Sequence, residues 1–263
     1  MILVMDVGNT NIKIGLYRGD ELTETWRVAT NFQRTADEYG MTLMNLFRSV
    51  GVKFSDIEGV IISSVAPSLN YTLEHTCKYY MNVTPIMVGP GVKTGINVKY
   101  ANPAEVGSDR IVNAVAAYKL YGGPCIVIDF GTATTFGAMS ADGEFLGGAI
   151  APGIKSSMEA LVNTTAKLPR IELTKPEKVI NRTTVSNMQS GIIYGFVGMV
   201  DYIIRKMKKE LHSTDCKVIA TGGMGEVLSG ELTAITLLDR ALTLKGLKII
   251  YDMNTENKIG ENV

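Results

Sequence analysis

Two short segments of the sequence place a carboxylate beside a glycine-containing turn, an arrangement that suits the binding of phosphate. Asp6 and Gly8 follow an apolar run that begins at residue 2, and Asp129 and Gly131 follow a second run that begins at residue 125. Glycine lets the backbone approach a ligand closely, and the N–H groups of a turn can point together at anionic oxygens. Neutral side-chain donors follow each glycine: Asn9, Thr10, Asn11, Thr132 and Thr134. The two turns are therefore candidate phosphate-binding loops.

The two segments follow one pattern. Residues 2–22 can be laid over residues 125–145 at a constant offset of 123 positions, which aligns Asp6 with Asp129. In each copy an apolar strand ends in Asp-x-Gly, a tight turn follows, and a second strand comes next. A single Asp-x-Gly is also typical of an ordinary turn, but a chance turn need not share both the preceding strand and the following hairpin. The repeat favours a binding hairpin that is used twice.

The charge of the two turns predicts a cation. Two carboxylates, Asp6 and Asp129, cannot face phosphate oxygens without repulsion, so we expect Mg²⁺ to accompany a bound nucleotide. The sequence contains no G-x-x-x-x-G-K-[ST] loop, which excludes a P-loop phosphotransferase. No G-x-G-x-x-G follows the first strand and no protein kinase signature is present, so neither a dinucleotide-binding domain nor a protein kinase is expected.

Strand and helix patterns alternate around both hairpins. Strands are predicted over 59–65, 86–88 and 217–221. Helices are predicted over 35–50, 69–81, 107–121, 153–162, 185–211 and 240–253. Two similar α/β halves account for this order, and the break at 122–124 lies near their junction. We expect one domain over residues 1–118 and a second over residues 119–263.

Composition narrows the functional classes. Of the 263 residues, 46% are hydrophobic and 20% are charged, so the chain is expected to fold around a core in water. The 26 Lys and Arg residues balance 26 Asp and Glu residues, so we expect neither a nucleic acid nor a membrane partner. Cys77, Cys125 and Cys216 form no C-x-x-C pair and are interpreted as buried, reduced thiols. Since no basic leader or membrane-length apolar stretch begins the chain, we expect a cytoplasmic protein.

Asp109 and Arg110 stand at the predicted start of the helix over 107–121. The helix macrodipole keeps a carboxylate ionised there, so Asp109 could accept a proton from an alcohol. Arg110 could donate two hydrogen bonds to a carboxylate or a phosphate. An Asp-Arg pair at a helix start is usually a cap with a surface ion pair, so the pattern alone favours that interpretation over a catalytic one.

Paired turns of this kind, one in each half of the chain, resemble the superfamily of acetate kinase, sugar kinases, Hsp70 and actin. Within it, DVGNTNIKIGLY at 6–17, GSDR at 107–110 and DFGTATTF at 129–136 resemble the type III pantothenate kinases. The resemblance implies two duplicated ribonuclease-H-like domains of the actin-like ATPase type, with a nucleotide cleft between them. It also implies ATP-dependent phosphorylation of pantothenate to 4′-phosphopantothenate, the first step of coenzyme A biosynthesis.

The same resemblance implies roles for individual residues. Asp109 would be the catalytic base, and Asp129 would hold a monovalent cation, K⁺ or NH₄⁺. The residues implied to bind ATP are Asp6, Val7, Gly8, Asn9, Thr10, Asn11, Ile12, Lys13 and Thr132. The residues implied to bind pantothenate are Tyr100, Gly107, Ser108, Asp109, Arg110 and Thr184. The family is dimeric, so a homodimer is expected, with the helix over 185–211 as a candidate for part of the interface.

Two alternative functions and one undecided segment remain at this point. A sugar or amino-sugar kinase of the same superfamily would need several polar side chains around a ring of hydroxyls, and the segment 95–110 offers few. A non-catalytic actin-like ATP-binding protein would carry large insertions, and a chain of 263 residues has no room for them. Residues 221–223 follow a strand where the superfamily binds adenosine, and they could contact a nucleotide or form a plain strand-to-helix turn.

Overall fold

Each half of the chain builds its own mixed sheet. The structure is a computed structural model that describes residues 1–223, 228 and 230–255. The first compact unit contains Met1–Ile96, Ala101–Ala116 and the last helix, and the second contains Asn97–Tyr100 and Ala117–Ala241. The predicted domain over 119–263 therefore includes residues 224–227, 229 and 256–263, which lie outside the described part of the chain.

The first unit contains a five-stranded sheet with the order β3-β2-β1-β4-β5. Its strands are β1 (Ile2–Val7), β2 (Asn11–Arg18), β3 (Glu21–Ala29), β4 (Gly59–Ser64) and β5 (Ile86–Met87). Its helices are α1 (Ala36–Ser49), α2 (Pro67–Thr76), most of α3 (Ser108–Tyr121), and α6 (Leu242–Thr255). Short helical turns cover Phe54–Asp56, Cys77–Met81 and Pro103–Glu105.

The second unit contains a six-stranded sheet with the order β11-β10-β7-β8-β9-β6. Its strands are β6 (Asn97–Val98), β7 (Cys125–Phe130), β8 (Ala133–Met139), β9 (Glu144–Pro152), β10 (Lys217–Gly222) and β11 (Leu237–Leu238). Its helices are α4 (Ile154–Asn163) and α5 (Thr184–Glu210).

The duplication predicted from the sequence is confirmed by strand order and direction. In the first sheet β1 pairs with β2 antiparallel and with β4 parallel, and in the second sheet β7 pairs with β8 antiparallel and with β10 parallel. The predicted hairpins were incomplete, because each continues into a third antiparallel strand, β3 or β9. The predicted helices and strands all form, with ends that shift by a few residues.

Local chemistry accounts for where the elements begin. Helix α1 begins after Thr35, whose hydroxyl accepts a hydrogen bond from the Glu38 N–H, while the Glu38 carboxylate accepts one from the Thr35 N–H at 2.8 Å. These hydrogen bonds lower the pKa of Glu38. Reciprocal capping of this kind satisfies backbone N–H groups that have no partner within the helix.

A core of apolar side chains lies on each sheet. The core of the first unit includes Leu3, Met5, Ile14 and Phe47, all at most 1% exposed. The core of the second unit packs β7 and β10 against α5, which buries Ile193, Phe196, Val200 and Ile204. Apolar burial of this extent is what stabilises each unit.

The last helix differs from its expected place. The sequence division assigned the helix over 240–253 to the second domain, whereas α6 packs against β1, β2 and β4 of the first unit. A methyl group of Leu244 lies 3.1 Å from where a β-carbon on Gly15 would stand, and Gly246 abuts the backbone of Val112. The apolar face of α6 therefore packs on the first unit. Dividing the sequence at one position cannot show that the end of the chain packs against its beginning. The boundary expected after residue 118 falls two residues earlier, between Ala116 and Ala117.

Within residues 1–223, 228 and 230–255, no helix combines the length and the apolar character that crossing a membrane requires.

The cysteines provide a test of the cores. All three are free and buried, and burial raises the pKa of Cys77 and of Cys125 to about 12 and also raises that of Cys216. A raised pKa keeps a thiol protonated at pH 8, and only the thiolate is nucleophilic. We expect no reaction of the folded protein with Ellman's reagent at pH 8, and three thiols per chain after denaturation. Rapid release of chromophore from the folded protein would contradict this.

Candidate functional site

The first glycine turn is held in place by hydrogen bonds to a neighbouring strand. The Gly8 N–H donates to the Asn11 carbonyl at 3.0 Å, which closes the turn. The Thr30 hydroxyl donates to the Gly8 carbonyl at 2.7 Å, and the Thr30 N–H donates to the Thr10 carbonyl at 2.9 Å. Asn9 and Thr10 remain exposed. The turn is therefore fixed through its carbonyl groups, while its two central residues face solvent.

Asp6 already has a cationic neighbour. It lies opposite Lys13 in the register of β1 and β2, and the Lys13 ammonium is 3.3 Å from the Asp6 carboxylate. Asp6 is 7% exposed, so its charge needs such a partner. A side chain of the chain itself therefore supplies a positive charge at this carboxylate.

Two residues expected at the ATP site have side chains that point elsewhere. Val7 and Ile12 are at most 1% exposed and pack in the core of the first unit. Their contribution to ligand binding can only come from the backbone.

The start of α3 is attached to the same edge of the first sheet. The Ser108 hydroxyl lies 3.0 Å from the Ser63 hydroxyl and from both the N–H and the carbonyl of Ser64. Ser63 and Ser64 are the register neighbours of Asp6 and Val7. Because β1 and β4 are parallel, this bond network places the start of α3 beside the turn that follows β1.

Asp109 and its neighbours occupy the first turn of α3. The Asp109 carboxylate accepts a hydrogen bond from the Arg110 N–H at 2.8 Å. A β-carbon on Gly107 would stand 2.5 Å from that carboxylate, so only glycine at this position leaves space for the Asp109 side chain. The Arg110 side chain is buried, at 9% exposure. The positive end of the helix macrodipole favours the ionised form of Asp109.

The second glycine turn is one residue shorter than the first. The Gly131 N–H donates to the Ala133 carbonyl at 3.0 Å, two residues ahead, whereas Gly8 reaches three residues ahead. In consequence Val127 pairs with Gly137, while Val4 pairs with Gly15. The constant offset of 123 positions is therefore wrong within the second strand of each hairpin. A one-residue change in turn length cannot be read from the alignment of the first strands.

Thr132 connects the second turn to α4. Its carbonyl accepts hydrogen bonds from the Gly153 N–H at 3.0 Å and from the Ser156 hydroxyl at 2.7 Å. Thr132 itself is exposed. Gly153 has no room for a side chain, because a β-carbon there would overlap the carbonyls of Gly131 and Thr132.

Asp129 lies beside the end of β10. Its register partner on β10 is Thr221, and the next residue, Gly222, has a φ of +96° that favours glycine. A β-carbon on Gly222 would stand 2.6 Å from Asp129 Oδ1, so the carboxylate leans towards the strand end.

The donor set around Asp129 fits a cation with oxygen ligands. Thr221 is fully buried, and among the residues that the structure describes no group hydrogen-bonds to its hydroxyl. A buried hydroxyl of this kind and an adjacent carboxylate are both hard oxygen donors.

Two of the residues expected to bind substrate, Tyr100 and Thr184, belong to the second unit. The ring of Tyr100 lies 3.6 Å from where a β-carbon on Gly147 of β9 would stand. Thr184 is the first residue of α5 and borders an open cavity of about 710 Å³ between α4 and α5. Apolar side chains form much of its wall, including Leu161, Met188, Ile192, Phe196 and Met199.

Within the first unit, the start of α3 lies beside the turn from Asp6 to Lys13. Within the second unit, Asp129 and Thr132 belong to the same turn region. Ser63, Ser64 and Ser156 also take part in these sites and were not predicted from the sequence. The sequence did carry a signal for Ser63 and Ser64, since they are the last two residues of an apolar strand. Parallel strands place ligand-binding groups at this carboxyl end.

Comparison with known proteins agrees with this geometry. The family model described as type III pantothenate kinase matches residues 2–206, which is more than half of the chain. A protein from Campylobacter jejuni, assigned to the Baf family of transcriptional activators, has 20% identity and a TM-score of 0.61, with 97% of this chain and 99% of that chain covered.

Two kinases share the fold at lower identity. The inorganic polyphosphate/ATP-glucomannokinase from Arthrobacter sp. strain KM has 12% identity and a TM-score of 0.50, with 96% of this chain and 98% of that chain covered. The ROK hexokinase from Thermus thermophilus has 13% identity and a TM-score of 0.50, with 97% and 99% covered. These similarities show the actin-like ATPase fold, and at such identities they show the fold alone.

The attachment of α3 yields a prediction about stability. Replacing Ser108 by alanine removes the partner of the half-buried Ser64 N–H, so Ser108→Ala should lower the free energy of unfolding by about 1–3 kcal/mol. Urea unfolding followed by circular dichroism measures this change. Ser49→Ala, at the exposed end of α1, is the control and should change it by about 0.5 kcal/mol or less. Equal effects of the two substitutions would show that the serine contact does not hold α3.

Proposed function

The chain belongs to the type III pantothenate kinase family, a family of phosphotransferases, and we propose that its reaction is the transfer of the γ-phosphoryl group of ATP to pantothenate. The product would be 4′-phosphopantothenate, and the reaction would be the first step of coenzyme A biosynthesis. The observation that carries this proposal is the Ser108 network, which holds a carboxylate-bearing helix start beside a phosphate-type turn within one unit. A phosphate turn and a base for an alcohol are the two groups that phosphoryl transfer to a hydroxyl requires.

The residues from Asp6 to Lys13 are proposed to bind the phosphates of ATP. Asn9 and Thr10 are exposed at the turn, where their N–H groups and side chains can donate to phosphate oxygens. The Lys13 ammonium neutralises Asp6, so the carboxylate does not repel an anion there. Thr132 is proposed as a further ATP contact. When bound, Mg²⁺ would supply charge neutralisation at the phosphates.

Asp109 is proposed as the base that accepts the proton of the attacking hydroxyl. Its place in the first turn of α3 keeps it ionised, and its hydrogen bond from the Arg110 N–H fixes its orientation. A carboxylate stabilised in this way is a weak base, which suffices because in a loose transition state the proton moves late.

The remaining roles follow from the resemblance and are proposals of the same kind. Pantothenate would be bound by Tyr100, by Gly107, Ser108, Asp109 and Arg110, and by Thr184. Asp129 would hold a monovalent cation, K⁺ or NH₄⁺, and its surroundings of oxygen donors support this.

We also propose that the protein is a homodimer and that α5 forms part of the interface. Gly191, Gly195 and Gly198 lie along α5, and a β-carbon on any of them would meet no atom within 4 Å. The apolar cavity between α4 and α5 borders two of these glycines. An open apolar face of this kind suits contact with another copy of the chain.

A sugar or amino-sugar kinase is the second candidate, because solved kinases of sugars share the fold. A coupled ATPase assay with pantothenate, glucose and N-acetylglucosamine as acceptors separates the two. We expect turnover with pantothenate and formation of 4′-phosphopantothenate in mass spectra. Turnover with a sugar and none with pantothenate would refute the proposed substrate.

The role of Asp109 can be tested with one substitution. Asp109→Asn keeps the size of the side chain but removes the base, so kcat should fall by about 10²-fold or more, while the Kd for ATP should stay nearly constant. Quench-flow kinetics and titration calorimetry measure the two quantities.

A nearby carboxylate serves as the matched control for that substitution. Glu105 is exposed and accepts a hydrogen bond from the Asn102 side chain at 2.9 Å. Glu105→Gln should retain the turnover of the wild type. A kcat of Asp109→Asn close to that of Glu105→Gln would remove Asp109 from the role of base.

A further inference from the structure

A second cavity of the second unit lies beside the carboxyl-terminal part of α5. It has a volume of about 420 Å³, and its wall combines Ile204 and Ala234 with polar residues of α5 and of the loop that follows the helix. That loop leads into the start of β10, whereas Asp129 and Thr132 lie at the opposite, carboxyl end of the parallel strands β7 and β10. The cavity is therefore separate from the second glycine turn.

The charged groups of the cavity follow one face of α5. Asp201, Arg205 and Lys208 succeed one another at intervals of four and three residues, and Lys209 comes four residues after Arg205. At a rise of about 1.5 Å per residue, Asp201 and Lys208 are roughly 10 Å apart along the helix axis. The helix therefore presents a carboxylate towards one end of the cavity and two ammonium groups towards the other.

The carboxylate end contains an acceptor without a donor. Asp201 Oδ1 is shielded from solvent, and no group in the described part of the chain hydrogen-bonds to it. Burial raises the pKa of Asp201, and the positive charge of Arg205 opposes this shift. The Arg205 guanidinium lies over the ring of Tyr202, 5.2 Å from its centroid. A buried acceptor without a partner costs free energy, so this end of the cavity suits a hydrogen-bond donor of a ligand.

The other end is rich in donors and in positive charge. Lysines at the end of a helix also interact favourably with the macrodipole, but Lys208 and Lys209 line a cavity in addition. The Lys208 ammonium lies 3.4 Å from the Thr214 carbonyl, which leaves two of its three N–H groups for a ligand.

A histidine completes this end of the cavity. His212 is the first residue after the C-cap of α5 and has a φ of +50°, a conformation that glycine adopts there without strain. Histidine in place of glycine adds an imidazole to the cavity wall. Ammonium and imidazole N–H groups together suit the oxygens of a phosphate.

We propose that this cavity binds a small organic phosphate of the size of a nucleoside monophosphate. The phosphate would accept hydrogen bonds from Lys208, Lys209 and His212, whose two ammonium groups match its double negative charge. An amino or hydroxyl group at the far end of the molecule would donate to Asp201, and its neutral body would contact Ile204. Small-molecule sites have volumes of roughly 300–1,000 Å³, a range that includes this cavity.

The two histidines of the chain allow binding to be observed at this place. In NMR spectra of protein labelled with ¹³C-histidine, titration with AMP at constant pH should shift the ring signals of His212. His75, on α2 of the first unit, should not respond. The variant His212→Asn identifies the signal by its loss. Adenosine lacks the phosphate and inorganic phosphate lacks the donor, so each should need an about tenfold or higher concentration for the same shift.

The lysines are tested by a double substitution. Lys208→Ala combined with Lys209→Ala should raise the AMP concentration at half-maximal shift by about tenfold or more. Lys206→Ala is the matched control, because Lys206 is exposed on the same part of α5 but lies outside the cavity wall. It should titrate as the wild type does. If the double variant does not fold, Lys209→Glu decides, since Lys209 is exposed.

Asp201→Asn tests the other end of the cavity. The amide keeps the shape of the side chain but loses the charge that strengthens a hydrogen bond to a ligand donor. AMP should bind several-fold more weakly to this variant, whereas inorganic phosphate should bind no more weakly than to the wild type.

Three outcomes overturn the inference. The first is a His212 signal that millimolar AMP leaves unchanged, and the second is an AMP titration of the lysine variant that matches the wild type. The third is inorganic phosphate binding as tightly as AMP, which would reduce the cavity to a plain anion site. None of these outcomes bears on the acceptor of the kinase reaction, which the pantothenate assay decides separately.

Discussion

A carboxylate at the end of a buried strand must be compensated before the same strand end can receive a phosphate. Asp6 and Asp129 impose this constraint twice, once in each duplicated unit. In the first unit Lys13 meets it, because the register of β1 and β2 places the ammonium 3.3 Å from Asp6. In the second unit the equivalent position is Thr135, which carries no charge. Gene duplication followed by such a change would give two similar turns different tasks.

The other features of the site hold polar groups near these two strand ends. Thr30 anchors the carbonyls of the first turn, and Ser108 anchors the start of α3 to β4. Gly107 and Gly222 leave room for the carboxylates of Asp109 and Asp129, which a β-carbon would displace. Catalysis of phosphoryl transfer depends on positioning and on charge more than on covalent chemistry, so rigid attachment of these groups is what the reaction requires.

Much of the fold was predictable from the sequence because its signals are local. The apolar runs, the glycine turns and the caps lie within short windows, and the duplicated strand order followed from comparing the chain with itself. The third strands β3 and β9 were missed, since β3 is rich in polar residues and β9 in glycine and alanine, which weakens the apolar signal of a strand. The return of α6 to the first unit was also missed, because its partners are more than a hundred residues away in the chain.

By itself, the sequence determined which residues could bind phosphate, which carboxylate could act as a base, and to which family the chain is similar. The tertiary structure decided which side chains are neighbours: Lys13 with Asp6, Ser108 with Ser63, and Thr221 with Asp129. The physical reason is that strand register depends on turn length and on pairing between distant segments. A turn shorter by one residue changes which residue lies opposite a carboxylate in the sheet, Lys13 opposite Asp6 and Thr135 opposite Asp129.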